Sequence, residues 1–121
     1  YYLKILPKSL QSLTIISWTF NNPIYHLPET LQSLTIRGYG FDQSIDNLPN
    51  SLESLGIHCS RFNQPINHLP ESLQSLEIVC NRFNQTIDFL PYSLQSLKIV
   101  SNAFKQSLVN LPKHIKYDSF L

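Results

Sequence analysis

Four histidines and two cysteines are the side chains best suited to chemistry in this sequence. His26 and His68 each precede a Leu-Pro pair. His58 lies in a short alternation of apolar and polar residues, and His114 lies near the C-terminal end. The sequence contains no H-E-x-x-H, C-x-x-C or G-x-S-x-G motif, and three glycines are too few for a glycine-rich phosphate loop. We therefore expect no enzyme activity, no metal ion or other cofactor, and no small-molecule substrate.

The composition gives no reason to expect nucleic acid or a membrane as partner, and it fits a reducing compartment. The 121 residues carry a net charge of +1 and only 14% are charged, so attraction to nucleic acid or to an anionic membrane is not expected. No apolar run approaches the roughly 20 residues of a membrane span, and the start does not resemble a signal peptide. Two cysteines fit a reducing compartment better than a disulfide framework. We expect a cytoplasmic protein with a protein partner.

A strict internal repeat must position these residues. A Leu-Pro pair recurs at a constant interval, beginning at Leu6, Leu27, Leu48, Leu69, Leu90 and Leu111. A phenylalanine keeps the same interval at Phe20, Phe41, Phe62, Phe83 and Phe104. A single repeat unit is too short to bury its six apolar positions alone, but stacked coils bury them against their neighbours.

The order within a repeat is L-x-x-L-x-I-x-x-N-x-F, which is complete from Leu73 to Phe83 and from Leu94 to Phe104. This is the leucine-rich-repeat signature with Phe in the last apolar place. It predicts a leucine-rich-repeat solenoid of right-handed 21-residue coils, with short parallel strands on the concave face. The recurring prolines predict an irregular convex side with little helix, at most one short turn at each Pro-x-Ser. Asn81 is expected to satisfy backbone groups at the turn, as is Asn102.

The outward strand positions are the candidate protein-binding face. They vary between repeats, which fits either a binding surface or mere tolerance of change. Arg37, His58, Glu77 and Lys98 could form a mixed-charge patch, or exposed ion pairs worth roughly 0–1 kcal/mol each. The face comprises Thr14, Ile16, Thr35, Arg37, His58, Glu77, Val79, Lys98 and Val100, with Gly56 in the same columns.

Three other sets of residues each allow a purely structural interpretation and a functional one. Cys59 and Cys80 lie one repeat apart, and we expect two small, partly buried thiols rather than a disulfide, because in-register side chains are poorly aimed for one. Trp18 and Tyr39 replace the turn Asn, and they could anchor a partner or pack against each other. His26 and His68 share a column two coils apart, about 10 Å, which is too far for one metal ion.

The segments Phe62-Asn63-Gln64-Pro65-Ile66 and Phe20-Asn21-Asn22-Pro23-Ile24 carry a family resemblance. With the Leu-Pro-x-Ser-Leu segments, they resemble the FNIP repeat family, a leucine-rich-repeat relative of social amoebae and of giant viruses that infect amoebae. In the viral members the repeats often follow an F-box. The resemblance therefore implies substrate capture for a ubiquitin ligase, in a host cytoplasm if the source is viral.

We expect residues 1–121 to form one repeat array of about five full repeats plus partial coils. The first residue is Tyr1 and the sequence has no Met, so we expect an excerpt of a longer chain. Residues 111–121 are the expected C-terminal cap: Ile115 keeps its column, Tyr117 replaces a serine, Asp118 replaces a core Leu, and Phe120 falls in the Ile column. The leading hypothesis is a protein-interaction solenoid. The alternatives are a self-associating structural array and a regulatory array fused to an enzyme.

Overall fold

The structure, a computed structural model, describes residues 5–119, and they form a stack of coils that each contribute one strand to a single sheet. All neighbouring strands are parallel and follow sequence order, so the predicted solenoid is confirmed. No α-helix occurs in residues 5–119, as the recurring prolines predict. The strands are Ser12–Ser17 (β1), Ser33–Gly38 (β2), Ser54–Cys59 (β3), Ser75–Val79 (β4), Ser96–Val100 (β5) and Lys116–Asp118 (β6).

The apolar columns fill the interior because strand side chains alternate between the two faces of the sheet. In β3, for example, Leu55 and Ile57 are buried, and they pair in register with Leu76 and Ile78 of β4. Between the strands and the irregular side, the five phenylalanine rings stack with centroids 5.8 to 6.1 Å apart. The constant repeat length thus serves core packing directly, since each side chain lies on its counterpart one coil away.

Within residues 5–119 the side-chain amides of Asn81 and Asn102 make no hydrogen bond to the backbone of the turn, so that expectation was wrong. Asn81 and Asn102 are exposed, because the two-residue alternation continues past Ile78 and turns Cys80 inward instead. The buried column therefore holds Cys59, Cys80 and Ser101. Their thiols and hydroxyl donate to backbone carbonyls, as in the 3.2 Å contact from Cys80 Sγ to the Ile57 oxygen.

A ladder of side-chain hydrogen bonds follows the phenylalanine stack instead. Asn63 Oδ1 accepts from the backbone N–H of Asn84 at 2.9 Å and from Nε2 of Gln85 at 3.1 Å, one coil further on. The same pattern joins every pair of coils from Asn21 to Gln106. Asp42 fills the asparagine position in one coil, since only an accepting oxygen is used there. The residues at the two positions after each Phe therefore tie adjacent coils together.

The Pro-x-Ser segments form a second ladder. In each, the Leu backbone N–H donates to the Pro carbonyl three residues earlier, as from Leu52 to Pro49 at 3.1 Å, which closes the single turn that the sequence predicts. The hydroxyl then donates to a Leu carbonyl of the preceding coil, as from Ser72 to Leu52 at 2.6 Å. The column consists of Thr30, Ser51, Ser72, Ser93 and His114. His114 replaces the hydroxyl with ring Nε2 in the last coil.

The last coil is one residue shorter than the periodicity predicts. Lys116 pairs with Ser96 and Tyr117 pairs with Leu97, so these partners lie one position closer along the chain than the partners of the earlier strands. Tyr117 thus takes the core Leu position and packs against the core, while Asp118 points outward beside Lys98. The expected positions of Tyr117 and Asp118 were wrong, because one residue is missing between Ile115 and the strand. Ile115 keeps its buried column, and Phe120 lies outside the described residues.

Candidate protein-binding face

The outward strand side chains form a continuous surface across all six strands, which we call the outer face. It contains every residue of the candidate face that the sequence predicts, while the role of those residues in binding stays a prediction. Sequence reasoning did not assign the serine column to this surface, although simple alternation from Thr14 back to Ser12 places it there. The outer face comprises Ser12, Thr14, Ile16, Ser33, Thr35, Arg37, Ser54, Gly56, His58, Ser75, Glu77, Val79, Ser96, Lys98, Val100, Lys116 and Asp118.

Three of the four charged candidates meet on the outer face. Glu77 Oε1 lies 2.6 Å from Nε2 of His58, and Glu77 Oε2 lies 3.7 Å from Nζ of Lys98. Arg37 is next to His58 in the sheet register but has no acidic side chain within salt-bridge distance among residues 5–119. The carboxylate of Glu77 is therefore already shared by the His58 ring nitrogen and the Lys98 ammonium, whereas the guanidinium of Arg37 is not neutralised by an ion pair.

Two shallow hollows open on the outer face. The first has a volume of about 150 Å³ and is lined by Thr35, Arg37, Gly56, His58 and Glu77, with the serines of β3 and β4. The second has a volume of about 230 Å³ and lies between β4 and β6, beside Lys98, Lys116 and Asp118. Gly56 lines the first hollow and supplies no side chain where the other coils carry Thr, Glu, Lys or Asp. Nothing in the repeat pattern alone indicates that the lost side chain leaves a lined hollow.

The aromatic residues at the ends of β1 and β2 pack against each other and stay accessible. The rings of Trp18 and Tyr39 are stacked with centroids 4.9 Å apart, and the Arg61 guanidinium lies 5.8 Å from the Tyr39 centroid. Trp18 is nevertheless 70% exposed, as is Ile16 at 76% in β1, the strand that Trp18 follows. Trp18 therefore packs against Tyr39 and is still accessible to a partner.

Sequence reasoning missed an apolar patch on the irregular side of the last coils. Phe89, Tyr92 and Val109 are 66%, 79% and 82% exposed. The signal was present in the repeat alignment, because the equivalent positions one coil earlier are His68, Glu71 and Asp88. Phe89, Tyr92 and Val109 thus replace polar residues of the preceding coil, and we call the surface that carries them the side patch.

The histidines do not assemble a reactive centre. His68 Nδ1 lies 3.5 Å from Oδ1 of Asp46, and His114 Nε2 lies 3.0 Å from the Leu94 carbonyl oxygen, to which it donates. No group of three or more potential metal ligands occurs within residues 5–119. Within the same range, no helix has the length and apolar character needed to cross a membrane.

The two cysteines are free and buried. Burial raises the pKa of the Cys59 thiol from 9.0 to about 11 and that of Cys80 to about 12, because desolvation disfavours the thiolate. Since the thiolate is the nucleophile, both groups are held in their unreactive form near neutral pH. This confirms the expectation of small buried thiols, with fuller burial than predicted.

Parallel strands stacked in register, one per coil, with every core column repeated, define a solenoid repeat protein, an architecture consistent with a protein-interaction domain. A model of the family described as FNIP Repeat matches residues 20–60, 41–81 and 62–101. The chain belongs to the FNIP repeat family. The side-chain ladder gives that motif its physical meaning, since the Phe stacks in the core and the Asn accepts from the next coil. No curated protein matches the chain.

Proposed function

We propose that this chain is a protein-binding solenoid and that its outer face holds the partner. The observation that carries the proposal is that the hydrogen-bond ladders between coils use other side chains than those of the outer face. The side-chain ladders that join the coils run through the Asn, Gln, Ser and Cys columns of the interior and the irregular side, as in Asn63 and Ser72. They do not use the outer face, where Glu77 contacts His58 and Lys98 across coils, so the remaining side chains there can suit a partner without breaking a ladder.

The size of the outer face favours a segment of a partner over a whole domain. Six strands about 4.8 Å apart and about five residues long cover about 24 Å by about 17 Å, or about 400 Å². A standard interface buries about 800 Å² on each partner. The outer face therefore suits an extended segment, to which the exposed Trp18 and Ile16 can add apolar contact at one edge.

A finer form of the proposal follows from the family resemblance, in which viral members join these repeats to an F-box. In that arrangement, the bound segment belongs to a protein that is delivered for ubiquitylation. The parent protein would then co-purify with an F-box-binding adaptor, and the captured protein would be ubiquitylated in a reconstituted reaction. Capture without ubiquitylation would leave a binding solenoid and remove the ligase assignment.

The proposal is tested by affinity capture from amoebal lysate with three baits that fold equally well by circular dichroism. One is the unchanged chain, and one carries Arg37→Glu, Glu77→Arg and Val79→Arg on the outer face. The matched control carries Arg82→Glu, Glu71→Arg and Val109→Arg, the same three changes at exposed sites elsewhere. We expect the outer-face bait to lose a protein that the other two retain. Loss with the control bait alone would overturn the proposal and assign binding to the irregular side.

A second candidate function, self-association into a structural array, is favoured by the side patch and by the charge distribution. Residues 5–88 carry four basic and seven acidic side chains, whereas residues 89–119 carry four basic and one acidic. A head-to-tail contact between copies would bring opposite charges together and could cover Phe89 and Tyr92. Sedimentation velocity distinguishes this alternative: it requires oligomers that dissociate at high salt and in a Phe89→Ser, Tyr92→Ser variant. A monomer at all concentrations would exclude it.

A further inference from the structure

Gly56 is not required by the backbone of its strand. It lies in the middle of β3, and a Cβ built there would meet Thr35 and His58 atoms at 3.7 to 3.8 Å, which is ordinary contact. Gly38 is the contrasting case, since its φ is +152° and its Cβ would lie 1.8 Å from the Ser17 carbonyl oxygen. Glycine within a strand costs roughly 0.5–1 kcal/mol relative to alanine. The fold thus explains Gly38 and leaves Gly56 unexplained.

What Gly56 does provide is the hollow of about 150 Å³, and its lining is rich in hydrogen-bond donors. The Arg37 guanidinium carries five N–H donors and has no acidic partner among residues 5–119. Hydroxyls of Thr35, Ser54 and Ser75 complete the lining. Since an engineered cavity of this volume holds benzene, about 150 Å³ has room for one short side chain.

The charges around the hollow determine whether a cation or an anion can enter it. Glu77 also lines the hollow, but Nε2 of His58 and Nζ of Lys98 face its two carboxylate oxygens. An incoming cation would have to displace one of these contacts. An incoming carboxylate instead meets the guanidinium of Arg37, whose planar fork matches it in two parallel hydrogen bonds.

We propose that the hollow beside Gly56 is a carboxylate subsite, which receives an aspartate or glutamate side chain from an extended segment of the partner. This inference rests on the proposed function of the outer face and specifies what that face recognises. Arg37 binds the carboxylate, and Gly56 makes the space. The hydrogen bond of Glu77 with His58 and its ion pair with Lys98 keep that carboxylate from repelling the ligand at full strength.

The test begins with selection of a random heptapeptide library displayed on phage. We expect the unchanged chain to select peptides with Asp or Glu at one fixed position. Gly56→Thr fills the hollow with the residue already present at Thr14 and Thr35, and Arg37→Gln removes the charge; both should abolish that preference. Arg82→Gln is the matched control and should retain it. Selection of peptides that depend on the outer face but lack a fixed acidic residue would overturn the subsite and leave the proposed function intact. Selection that ignores every outer-face change, or no selection at all, would overturn both.

A double-mutant cycle on one selected peptide then tests the contact itself. Replacing its acidic residue by the matching amide should raise Kd about tenfold or more, as expected for a charged hydrogen bond. Arg37→Gln should have a similar effect, and the two changes together should weaken binding no more than either alone. Additive losses would show that the carboxylate and Arg37 do not meet. A phosphoserine peptide that binds ten times more tightly than the carboxylate peptide would reassign the hollow to phosphate.

Gly56→Thr also separates the subsite from a folding requirement. Threonine suits a strand better than glycine, so the variant should be at least as stable as the unchanged chain in urea unfolding. Loss of acidic selection with unchanged or increased stability supports the subsite. A destabilised Gly56→Thr variant would mean that Gly56 serves the fold, and the inference would fail.

Discussion

The asparagine ladder offers a sharp test of how the coils are held together. In Asn63→Ala, the Asn84 backbone N–H and the Gln85 side chain lose an accepting oxygen that lies 2.9 and 3.1 Å away. A hydrogen bond contributes roughly 0.5–1.5 kcal/mol net. Because Asn63 is exposed and water can replace part of the loss, we expect the free energy of unfolding to fall by about 1–2 kcal/mol.

The matched control is Asn63→Asp, which keeps an accepting oxygen and replaces the amide NH2 with a second oxygen that shares a negative charge. Asp42 already fills the ladder position of the preceding coil with contacts of 2.9 and 3.0 Å. We therefore expect Asn63→Asp to stay within about 0.5 kcal/mol of the unchanged chain. Urea unfolding followed by far-ultraviolet circular dichroism measures both variants. Equal losses for Ala and Asp, or a loss below about 0.5 kcal/mol for Ala, would refute the view that the oxygen joins the coils.

Three further predictions concern the core and the turns. Gly38→Ala should destabilise the chain by more than about 1 kcal/mol, because φ is +152° and the added Cβ would meet a carbonyl oxygen; urea unfolding checks this, and a neutral result contradicts the strained backbone. Phe62→Ala should cost about 3–5 kcal/mol by opening a gap in the stacked rings, with Phe62→Leu costing less; equal costs would argue against stacking. The raised pKa values of Cys59 and Cys80 mean that the folded chain holds these protons more tightly than the unfolded chain. The two thiols contribute fully to the free energy of unfolding below about pH 9, and this contribution is lost as the pH rises towards 11 and 12. A Cys59→Ser, Cys80→Ser variant should therefore lose less stability than the unchanged chain across that range. Parallel pH profiles for the two proteins would contradict the assignment.

The strands and core could be predicted from the sequence because a single periodicity determines both. Once Leu and Ile recur at the same positions in every repeat, alternation decides which side chains are buried and equal spacing decides which strands pair. The same rule failed where the period changed. Tyr117 lies one position later in the strand register than counting by whole repeats indicates, opposite Leu97 instead of Ser96, because the last coil lacks one residue.

The interactions between coils were harder to predict, because they depend on which atoms face each other across about 4.8 Å. The sequence shows that Asn63 and Gln85 belong to repeated columns, but not that a side-chain oxygen of one coil lies under a backbone N–H of the next. The expected turn asparagine shows the opposite error. The leucine-rich-repeat pattern suggested that the Asn81 amide satisfies backbone groups of the turn, whereas the two-residue alternation leaves Asn81 exposed and buries Cys80.

The separation of these roles explains how a repetitive chain can carry a specific surface. The ladder bonds join residues 18 to 23 positions apart, so each coil is stabilised by its immediate neighbours. The serine column keeps one line of the outer face constant from β1 to β5, and substitutions in the two columns beside it leave the ladders intact. Gly56 illustrates the consequence: loss of a side chain there changes the shape of the outer face while the Leu and Ile on either side stay buried. Specificity in such a chain should therefore change by single substitutions on the outer face, at little cost to the stability of the coil beneath.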